Sequence, residues 1–179
     1  MCVDFKDLNW ACPKDSYALS KIDQLVDVTT GHEMLSFMDV YSGYNQVRMV
    51  PEDEENTSFT TNDGTYCYRA MSFGLRNAGA TCQRVMNTLF KYQIGKTMKV
   101  YVDNILVKSK LASTHVADLT ECFVVLQKNG MSLNPAKCAF GVRGGKFLVF
   151  VVIKRGIDAN PKKIQALIDM KSLTTVKDI

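Results

Sequence analysis

The sequence predicts an α+β fold in which one antiparallel sheet is covered by helices on one face. Two observations support this prediction. Strand-like segments alternate with segments whose apolar residues recur at helical spacing, and strong turn signals join strand-like segments directly, which favours antiparallel hairpins. The 179 residues are 46% hydrophobic and 22% charged, which allows one domain with a buried core and excludes a disordered or low-complexity chain.

The first predicted elements are a helix and a buried strand. Ser20 and Asp23 have the spacing of an N-terminal capping pair, and the apolar residues after them predict a helix over 20–30. The short apolar run at 34–40 contains one acid, Asp39, near its end. Such a run is typical of a buried strand that delivers a carboxylate to the edge of a sheet.

Two turn signals predict β-hairpins. The sequence Asn-Asp-Gly at 62–64 separates the strand-like segments 57–61 and 65–70. The pair Asp103-Asn104 separates two β-rich tripeptides, so it is expected at the tip of a second hairpin.

The rest of the chain combines helical periodicity with one strong β run. A helix is predicted over 77–94, where Gly95 has the position of a C-cap glycine. Further helices are predicted over 116–130 and 161–171, and the segment 146–153 is predicted as a strand.

Charge, cysteine content and hydropathy restrict the function classes. Lysine and arginine number 22 against 18 acids, a mild excess that permits a polyanionic partner without requiring one. Six cysteines without any Cys-x-x-Cys pair, and only two histidines, exclude the spacing of a zinc site and favour reduced thiols. No signal peptide and no apolar run of about 18 residues is present, so an intracellular protein without membrane contact is expected. Both ends have the character of a piece cut from a longer chain.

Asp39 and Asp103 form the candidate catalytic pair. They can be neighbours only if their strands are adjacent in one sheet, where two carboxylates would suit Mg²⁺. Two metal ions held there could activate a 3′-hydroxyl and stabilise a leaving pyrophosphate. Each aspartate taken singly is better explained as a turn cap or a surface charge, so the pair needs further support.

Longer strings supply that support. The string FMDVYSGYNQ at 37–46 resembles the first catalytic motif of reverse transcriptases of gypsy-type long-terminal-repeat retrotransposons, the plant branch in particular. MSFGLRNAGATCQ at 71–83 resembles their substrate-binding motif, and YVDN at 101–104 resembles the motif of their metal-binding hairpin. Further matches, in the same order as in the family, lie at 3–9, 133–138 and 146–148. The resemblance therefore covers essentially the whole chain.

The resemblance implies the palm and part of the fingers of an RNA-directed DNA polymerase. Residues 1–33 and 52–76 would belong to the fingers side, 34–51 and 77–158 to the palm, and 159–179 to the start of the thumb. The implied partners are a primed RNA or DNA template and deoxynucleoside triphosphates, with Mg²⁺, or Mn²⁺ in its place, as cofactor. The thumb, ribonuclease H and integrase domains of a Pol polyprotein would once have accompanied it, in the cytoplasm or in a virus-like particle.

The resemblance also implies roles for residues of the first and third motifs. Asp39 and Asp103 would ligate metal ions, with the Val40 carbonyl close to the second ion, and Asn104 would complete the catalytic set. Tyr44 would stack under the deoxyribose and reject a 2′-hydroxyl, with an ordinary core aromatic as the alternative.

Two further groups of residues are implied to contact the nucleotide or the nucleic acid. Phe73, Gly74 and Gln83 would lie along the incoming nucleotide and the template. Phe147 and Leu148 would belong to the hairpin that grips the primer end, with ordinary buried strand residues as the alternative.

One departure from the family motif changes the predicted chemistry. The family's metal-binding hairpin carries two consecutive aspartates, and Asn104 stands in place of the second. An amide oxygen can ligate a metal ion but is neutral, so one of three negative charges is lost and weak catalysis is expected. Other departures are also present. Asn56 stands where the family has a lysine, and Val149 stands where it has a glycine. Prolines of the family are replaced at Ala18, Ser20 and Ser72.

Two alternative functions follow from the sequence. A retroelement remnant that keeps the fold without the reaction would only bind nucleic acid, through basic surface and phosphate contacts. An RNA-recognition module would use 100–105 and 143–150 as its short and long motifs. Against the second alternative, Gly145 and Lys146 stand where the long motif requires an aromatic and a small residue.

Overall fold

The computed structural model describes residues 3–19, 31–147, 150–153 and 156–158, together with Gln165 and Asp169. Its helices are α1 (Lys6–Ala11), α2 (Pro51–Glu54), α3 (Ala78–Leu89) and α4 (His115–Lys128). Its strands are β1 (Met34–Asp39), β2 (Phe59–Thr61), β3 (Gly64–Tyr66), β4 (Met98–Tyr101), β5 (Asn104–Ser109), β6 (Ala139–Val142), β7 (Gly144–Phe147), β8 (Phe150–Ile153) and β9 (Gly156–Asp158). Short 3₁₀ turns lie at Gly43–Gln46, Glu55–Thr57, Ala112–Thr114 and Pro135–Lys137.

The central sheet is antiparallel, with the strand order β4-β5-β1-β6. Strands β1 and β5 pair over their whole length, from Met34 opposite Ser109 to Asp39 opposite Asn104. Separately, β2 and β3 form a hairpin, and β7, β8 and β9 form a three-stranded antiparallel sheet. The predicted α+β class and the predicted hairpin between 57 and 70 are therefore confirmed.

Different elements cover the two faces of the central sheet. On one face Met38 shares the main core with Met86 of α3 and Leu126 of α4. On the other face Phe37 packs against Phe147 of β7, with ring centroids 6.0 Å apart. Because β1 is buried on both faces, its sequence is a continuous apolar run rather than an alternating one. Each large apolar side chain buried in this way contributes about 1.5–3 kcal/mol.

A buried polar network joins α4 to the central sheet. The two ring nitrogens of His115 lie 2.7 Å from the hydroxyls of Ser36 on β1 and Ser109 on β5. The Ser109 hydroxyl donates to Asp118, and the Ser36 hydroxyl accepts the Gly141 N–H at 3.0 Å. Burial lowers the pKa of His115, so the neutral ring is the favoured form. These bonds satisfy polar groups that would otherwise be costly to bury, and they fix the start of α4.

The single strand predicted over 146–153 is wrong. The chain reverses there, with β7 and β8 antiparallel and Phe147 opposite Phe150. The prediction failed because strand-forming residues continue through both strands, and the residues at 148 and 149 are Leu and Val, which give no turn signal.

Helix α3 ends earlier than predicted. The spacing of apolar residues indicated a helix to 94, but the backbone leaves helical geometry at Phe90, where φ is −102° and ψ is 22°. Phe90 is nonetheless completely buried in the main core. Apolar spacing records packing against the core, and here that packing continues after the helical backbone has stopped.

Of the other predicted helices, one can be compared with the structure over its whole length and two lie mostly or wholly outside the described residues. Helix α4 confirms the prediction over 116–130, and it ends at Lys128. The helix predicted over 20–30 lies outside the described residues. So does the helix over 161–171 except for Gln165 and Asp169, which are joined by a backbone hydrogen bond of 2.9 Å at helical spacing. No described helix has both the length and the apolar character needed to cross a membrane.

Candidate active site

The central sheet brings the two predicted catalytic aspartates to neighbouring strand ends. Asp39 is the last residue of β1, opposite Asn104 at the start of β5. Asp103 lies in the turn between β4 and β5, and its carbonyl accepts the backbone N–H of Val40 at 2.8 Å. The adjacency that a shared site requires is therefore present. The turn consists of Val102 and Asp103, whereas Asn104 already belongs to β5, so the predicted Asp-Asn tip is displaced by one residue.

Gln83 of α3 holds this turn in place. Val102 has a left-handed backbone, with a φ of 54°, which is unfavourable for a β-branched residue. The Gln83 side-chain carbonyl accepts the Val102 N–H at 2.8 Å, and its amide donates to the Val100 carbonyl at 3.2 Å. Gln83 is only 1% exposed. Its amide also donates to the Asn87 side chain at 3.0 Å, and its two bonds to the hairpin backbone support the position of Asp103 from behind.

The site concentrates negative charge. Burial raises the pKa of Asp103, and the nearby Asp39 raises it further, while Lys137 and a hydrogen bond from Asn104 lower it. The Asn104 amide donates to an Asp103 carboxylate oxygen at 2.8 Å. The Lys137 ammonium lies 3.4 Å from one Asp39 carboxylate oxygen and 3.5 Å from the other. An ammonium therefore occupies the position where two carboxylates would favour a cation.

Oxygen ligands alone make up this set. In the described part of the chain, no three histidine, cysteine, aspartate or glutamate side chains cluster as a metal site, and here the third position is the amide of Asn104. Two carboxylates, an amide oxygen and backbone carbonyls are hard donors, which suit Mg²⁺ or Mn²⁺ rather than zinc.

Gly43 is in close contact with Asp103. A methyl group built on Gly43 would lie 2.7 Å from the Asp103 Cβ, closer than side-chain carbons approach one another. Gly43 begins the 3₁₀ turn that follows β1, directly after Ser42, whose backbone is left-handed with a φ of 46°. The absence of a side chain at this glycine lets the turn pack onto the β4–β5 hairpin.

Tyr44 lies between the aspartates and the predicted nucleotide-binding segment. Its ring meets Phe73 edge to face, with centroids 4.9 Å apart and an interplanar angle of 82°. Burial and the charge of Asp103 raise the pKa of Tyr44. Phe73 itself is exposed, and Gly74 after it has a φ of 95°, a conformation that favours glycine. Tyr44 thus connects Phe73 to the surroundings of Asp103, and Gly74 follows Phe73 in the chain.

Phe147, one of the two predicted primer-grip residues, lies on a different part of the sheet. Phe147 is 2% exposed and packs on Phe37, on the sheet face opposite the helices. Gly145 of the same strand is tight against that Phe37 ring, since a methyl group there would lie 2.6 Å from it. Leu148 lies outside the described residues. The buried position of Phe147 matches the alternative of a buried strand residue for its side chain.

Sequence reasoning did not single out two residues of the site. Gly43 and Lys137 both lie inside strings that resemble the family motifs, at 37–46 and 133–138, and that membership is the signal that could have identified them. Their contacts with Asp103 and Asp39 join segments that are far apart in the chain, so no local pattern could predict them.

Sequence comparisons with known proteins show what this chain is similar to. A family model described as reverse transcriptase (RNA-dependent DNA polymerase) matches residues 1–174. The Pol polyproteins of the Drosophila melanogaster transposons opus and gypsy are 34% and 31% identical over 100% and 93% of this chain. The chain spans only 18% and 16% of those two polyproteins.

Solved structures show the same fold. Foamy viral protease-reverse transcriptases in complex with an RNA/DNA hybrid and with double-stranded DNA superpose with TM-scores of 0.86 and 0.89 at 20% identity. The matches cover 98% and 99% of this chain, and 24% and 37% of the longer ones. At this identity the likeness concerns the fold.

Proposed function

Because this chain belongs to the reverse transcriptase family, we propose that it adds deoxynucleotides to a primer 3′-hydroxyl on an RNA or DNA template. Asp39 and Asp103 carry this proposal, since β1 and the β4–β5 hairpin hold them at adjacent strand ends. The chain would supply the palm, with part of the fingers at 1–33 and 52–76, palm at 34–51 and 77–158, and the start of the thumb at 159–179. The thumb, ribonuclease H and integrase domains of a Pol polyprotein would complete the machinery.

Asp39, Asp103 and the Val40 carbonyl would hold the divalent ions, Mg²⁺ or Mn²⁺. Bound there, the ions would supply activation of the primer hydroxyl and stabilisation of the pyrophosphate that leaves. The donor chemistry fits, because the Lys137 ammonium already lies beside Asp39 and lowers the pKa of Asp103, so both carboxylates interact favourably with a cation. Asn104 would contribute a neutral amide oxygen, so the chain supplies two negative charges to the site.

Lys137 is expected to compete with the metal ion for Asp39. Removing an ammonium that lies 3.4 Å from a carboxylate oxygen should free that carboxylate. An exposed ion pair is worth about 0.2–1 kcal/mol, so Lys137→Met should bind Mn²⁺ roughly 1.4- to 5-fold more tightly. Mn²⁺ binding measured by electron paramagnetic resonance tests this without any turnover. Lys128→Met, at an exposed lysine on α4, is the matched control, and weaker binding by Lys137→Met would instead show that the lysine orients Asp39.

Tyr44 would select deoxyribonucleotides. Its ring is held edge to face by Phe73 and lies near Asp103, where a sugar bound for reaction would rest against it. A 2′-hydroxyl would then meet the ring, so Tyr44→Val is expected to raise the ratio of ribonucleotide to deoxynucleotide incorporation by about tenfold or more, equivalent to about 1.4 kcal/mol. Incorporation ratios measured in the Asn104→Asp background test this, and an unchanged ratio would remove Tyr44 from this role.

Nucleic acid as the partner is supported by likeness and by charge. The foamy viral structures hold an RNA/DNA hybrid or double-stranded DNA, and the net charge of this chain is +4. From this likeness we expect a primed template to bind along Phe73, Gly74 and the β7–β8 hairpin, which contains Phe147. The match to the family over 1–174 leaves no support for an RNA-recognition module.

Primer extension on poly-rA with oligo-dT, Mg²⁺ or Mn²⁺ and labelled dTTP tests the proposed function. Asp39→Asn should reduce extension by the full chain to background, because it removes a charged ligand while keeping the size of the side chain. Asp63→Asn, in the exposed turn between β2 and β3, should leave extension unchanged. Equal extension by Asp39→Asn and the unmutated chain would sink the assignment of the site.

The neutral residue at 104 favours a second candidate, a protein that binds template and primer without extending them. Asn104 is paired with the catalytic aspartate through its amide N–H, the arrangement of a site that is stable without metal. Retention of template-primer binding by a chain that shows no extension in either metal would establish this second function.

A further inference from the structure

We propose that Trp10, with Lys6 and Arg76 beside it, binds single-stranded nucleic acid by stacking a base on its indole ring. The inference rests on the proposed function, since its ligand would be the unpaired part of a template. Trp10 is 90% exposed, an unusual position for the largest aromatic side chain. It lies one helical turn after Lys6 on α1, so the aromatic ring and the cation share one face of that helix.

The surroundings of Trp10 are concave and contain two cations, with the exposed acid Asp7 also one turn before Trp10 on α1. Lys6, Asn9, Trp10 and Arg76 line an open cavity of about 660 Å³, and none of these lining residues is an acid. Arg76 has no carboxylate partner among the described residues. Lys6 pairs with Asp4 at 3.1 Å, but both side chains are mostly exposed, so a phosphate could readily replace the carboxylate.

Hydrogen bonds from α1 to the loop after Phe73 hold the helix that carries Trp10. The Asn9 amide donates to the Gly74 carbonyl at 2.7 Å, and the Asn9 side-chain carbonyl accepts the Arg76 backbone N–H at 2.7 Å. One guanidinium nitrogen of Arg76 donates to the carbonyls of Asn9 and Cys12 at 3.0 and 3.2 Å. The other guanidinium N–H groups remain for a phosphate.

The same hydrogen bonds connect the helix of Trp10 to the candidate active site. Gly74, which accepts the Asn9 bond, directly follows Phe73, and Phe73 packs against Tyr44 beside the aspartates. A strand that passes along Phe73 and Gly74 would reach α1 next. A single aromatic ring flanked by cations suits a base and its phosphates, since every base has a π-face and base stacking tolerates any sequence.

Trp10 is the only tryptophan of the chain, so its fluorescence reports on this one site. The full chain is titrated with oligo-dT and with oligo-rU in the presence of a chelator, which stops catalysis. Saturable quenching is expected with both oligomers if bases stack, and with oligo-rU alone if the site requires a 2′-hydroxyl. A blunt duplex of equal length should quench much less.

Variants measured by the anisotropy of a labelled oligomer separate stacking from charge. Trp10→Leu should weaken binding by roughly 5- to 100-fold, and Trp10→Phe by much less. Tyr92→Leu is the matched control, since Tyr92 is 75% exposed, lies after α3 and does not line the cavity beside Trp10. Lys6→Gln should reduce the slope of log affinity against log salt by about 0.7, the value for one phosphate contact to a single strand.

Three results would overturn the proposal. Trp10 emission could stay unchanged while an oligomer binds, it could respond to anionic lipid vesicles but not to oligomers, or it could change with protein concentration alone. The last two would assign the ring to a membrane surface or to a second copy of the chain. Because the chelated titration requires no turnover, failure of primer extension by the unmutated chain leaves this test intact. Equal oligomer binding by Trp10→Leu and the unmutated chain would show that Trp10 is not a binding site, even if primer extension depends on Asp39.

Discussion

Replacement of Asn104 by aspartate is expected to raise primer extension on the order of 10²-fold, the largest gain that a single substitution should give in this chain. Asn104 lies opposite Asp39 across β1 and β5, and its amide donates to Asp103 at 2.8 Å. An aspartate there would add a third negative charge where divalent ions and a triphosphate meet. Metal-ion stabilisation of a transition state is worth several kcal/mol, and each 1.36 kcal/mol changes a rate tenfold.

The same substitution should have the opposite effect on the metal-free protein. It removes the N–H that Asn104 donates to Asp103 and places a third carboxylate beside two others. The pKa of Asp103, which burial already raises, would rise further. A carboxyl group whose pKa is raised by folding favours the folded state below its unfolded pKa, and that contribution is lost as the pH rises through the folded pKa. At neutral pH the metal-free Asn104→Asp protein should therefore be less stable, and divalent ions should restore its stability.

Primer extension and thermal unfolding, each with and without Mn²⁺, measure the two effects together. Asn62→Asp, in the exposed turn between β2 and β3, is the matched control and should change neither. A larger Mn²⁺-induced rise in Tm together with faster extension would support an intact fold with a weakened site. If Asn104→Asp gains metal-dependent stability but no primer extension, the cause of the weak extension lies outside residue 104. No gain in either measurement would contradict the placement of residue 104 at the metal site.

The sequence predicted those parts of the site that depend on a local pattern, such as an apolar run or a turn signal. The apolar run of β1 ends in Asp39, and the turn signal places Asp103 between β4 and β5, so both strand ends could be predicted from their own segments. Their adjacency needed the sheet order, which the family motifs implied and the pairing of β1 with β5 provides. Element type was therefore more predictable than the contacts between elements.

The remaining features depend on packing across the chain. Phe147 pairs with Phe150 although the two residues between them give no turn signal, and Phe147 packs against Phe37 of β1, a contact that local sequence does not record. The end of α3 is hidden because Phe90 stays in the core after the helix stops. Lys137 reaches Asp39 across a separation of 98 positions, so its charge could not be assigned to the site from sequence alone.

Gly43→Ala is expected to reduce extension on the order of 10²-fold, although an alanine is compatible with the local backbone. Gly43 has no positive φ, so the effect would not come from backbone strain. The added methyl group would lie 2.7 Å from the Asp103 Cβ, and either the 3₁₀ turn or the catalytic hairpin must move. The hairpin is already held from behind by Gln83, so displacement would shift Asp103 relative to Asp39. A misplacement of about 1 Å at reacting groups can cost 10²-fold in rate.

Gly79→Ala provides the matched control for this prediction, because the same methyl group there would lie 3.8 Å from its nearest neighbour, the Tyr44 hydroxyl. Both variants are measured in the Asn104→Asp background, where extension is strong enough to show a large loss. Gly43→Ala should lose extension and Mn²⁺ affinity while unfolding only about 1–3 kcal/mol more easily, the usual cost of overpacking. Gly79→Ala should keep both properties. Equal extension by the two variants would show that Asp103 tolerates the added methyl group, and that the close approach of Gly43 to the hairpin is not what positions the catalytic carboxylate.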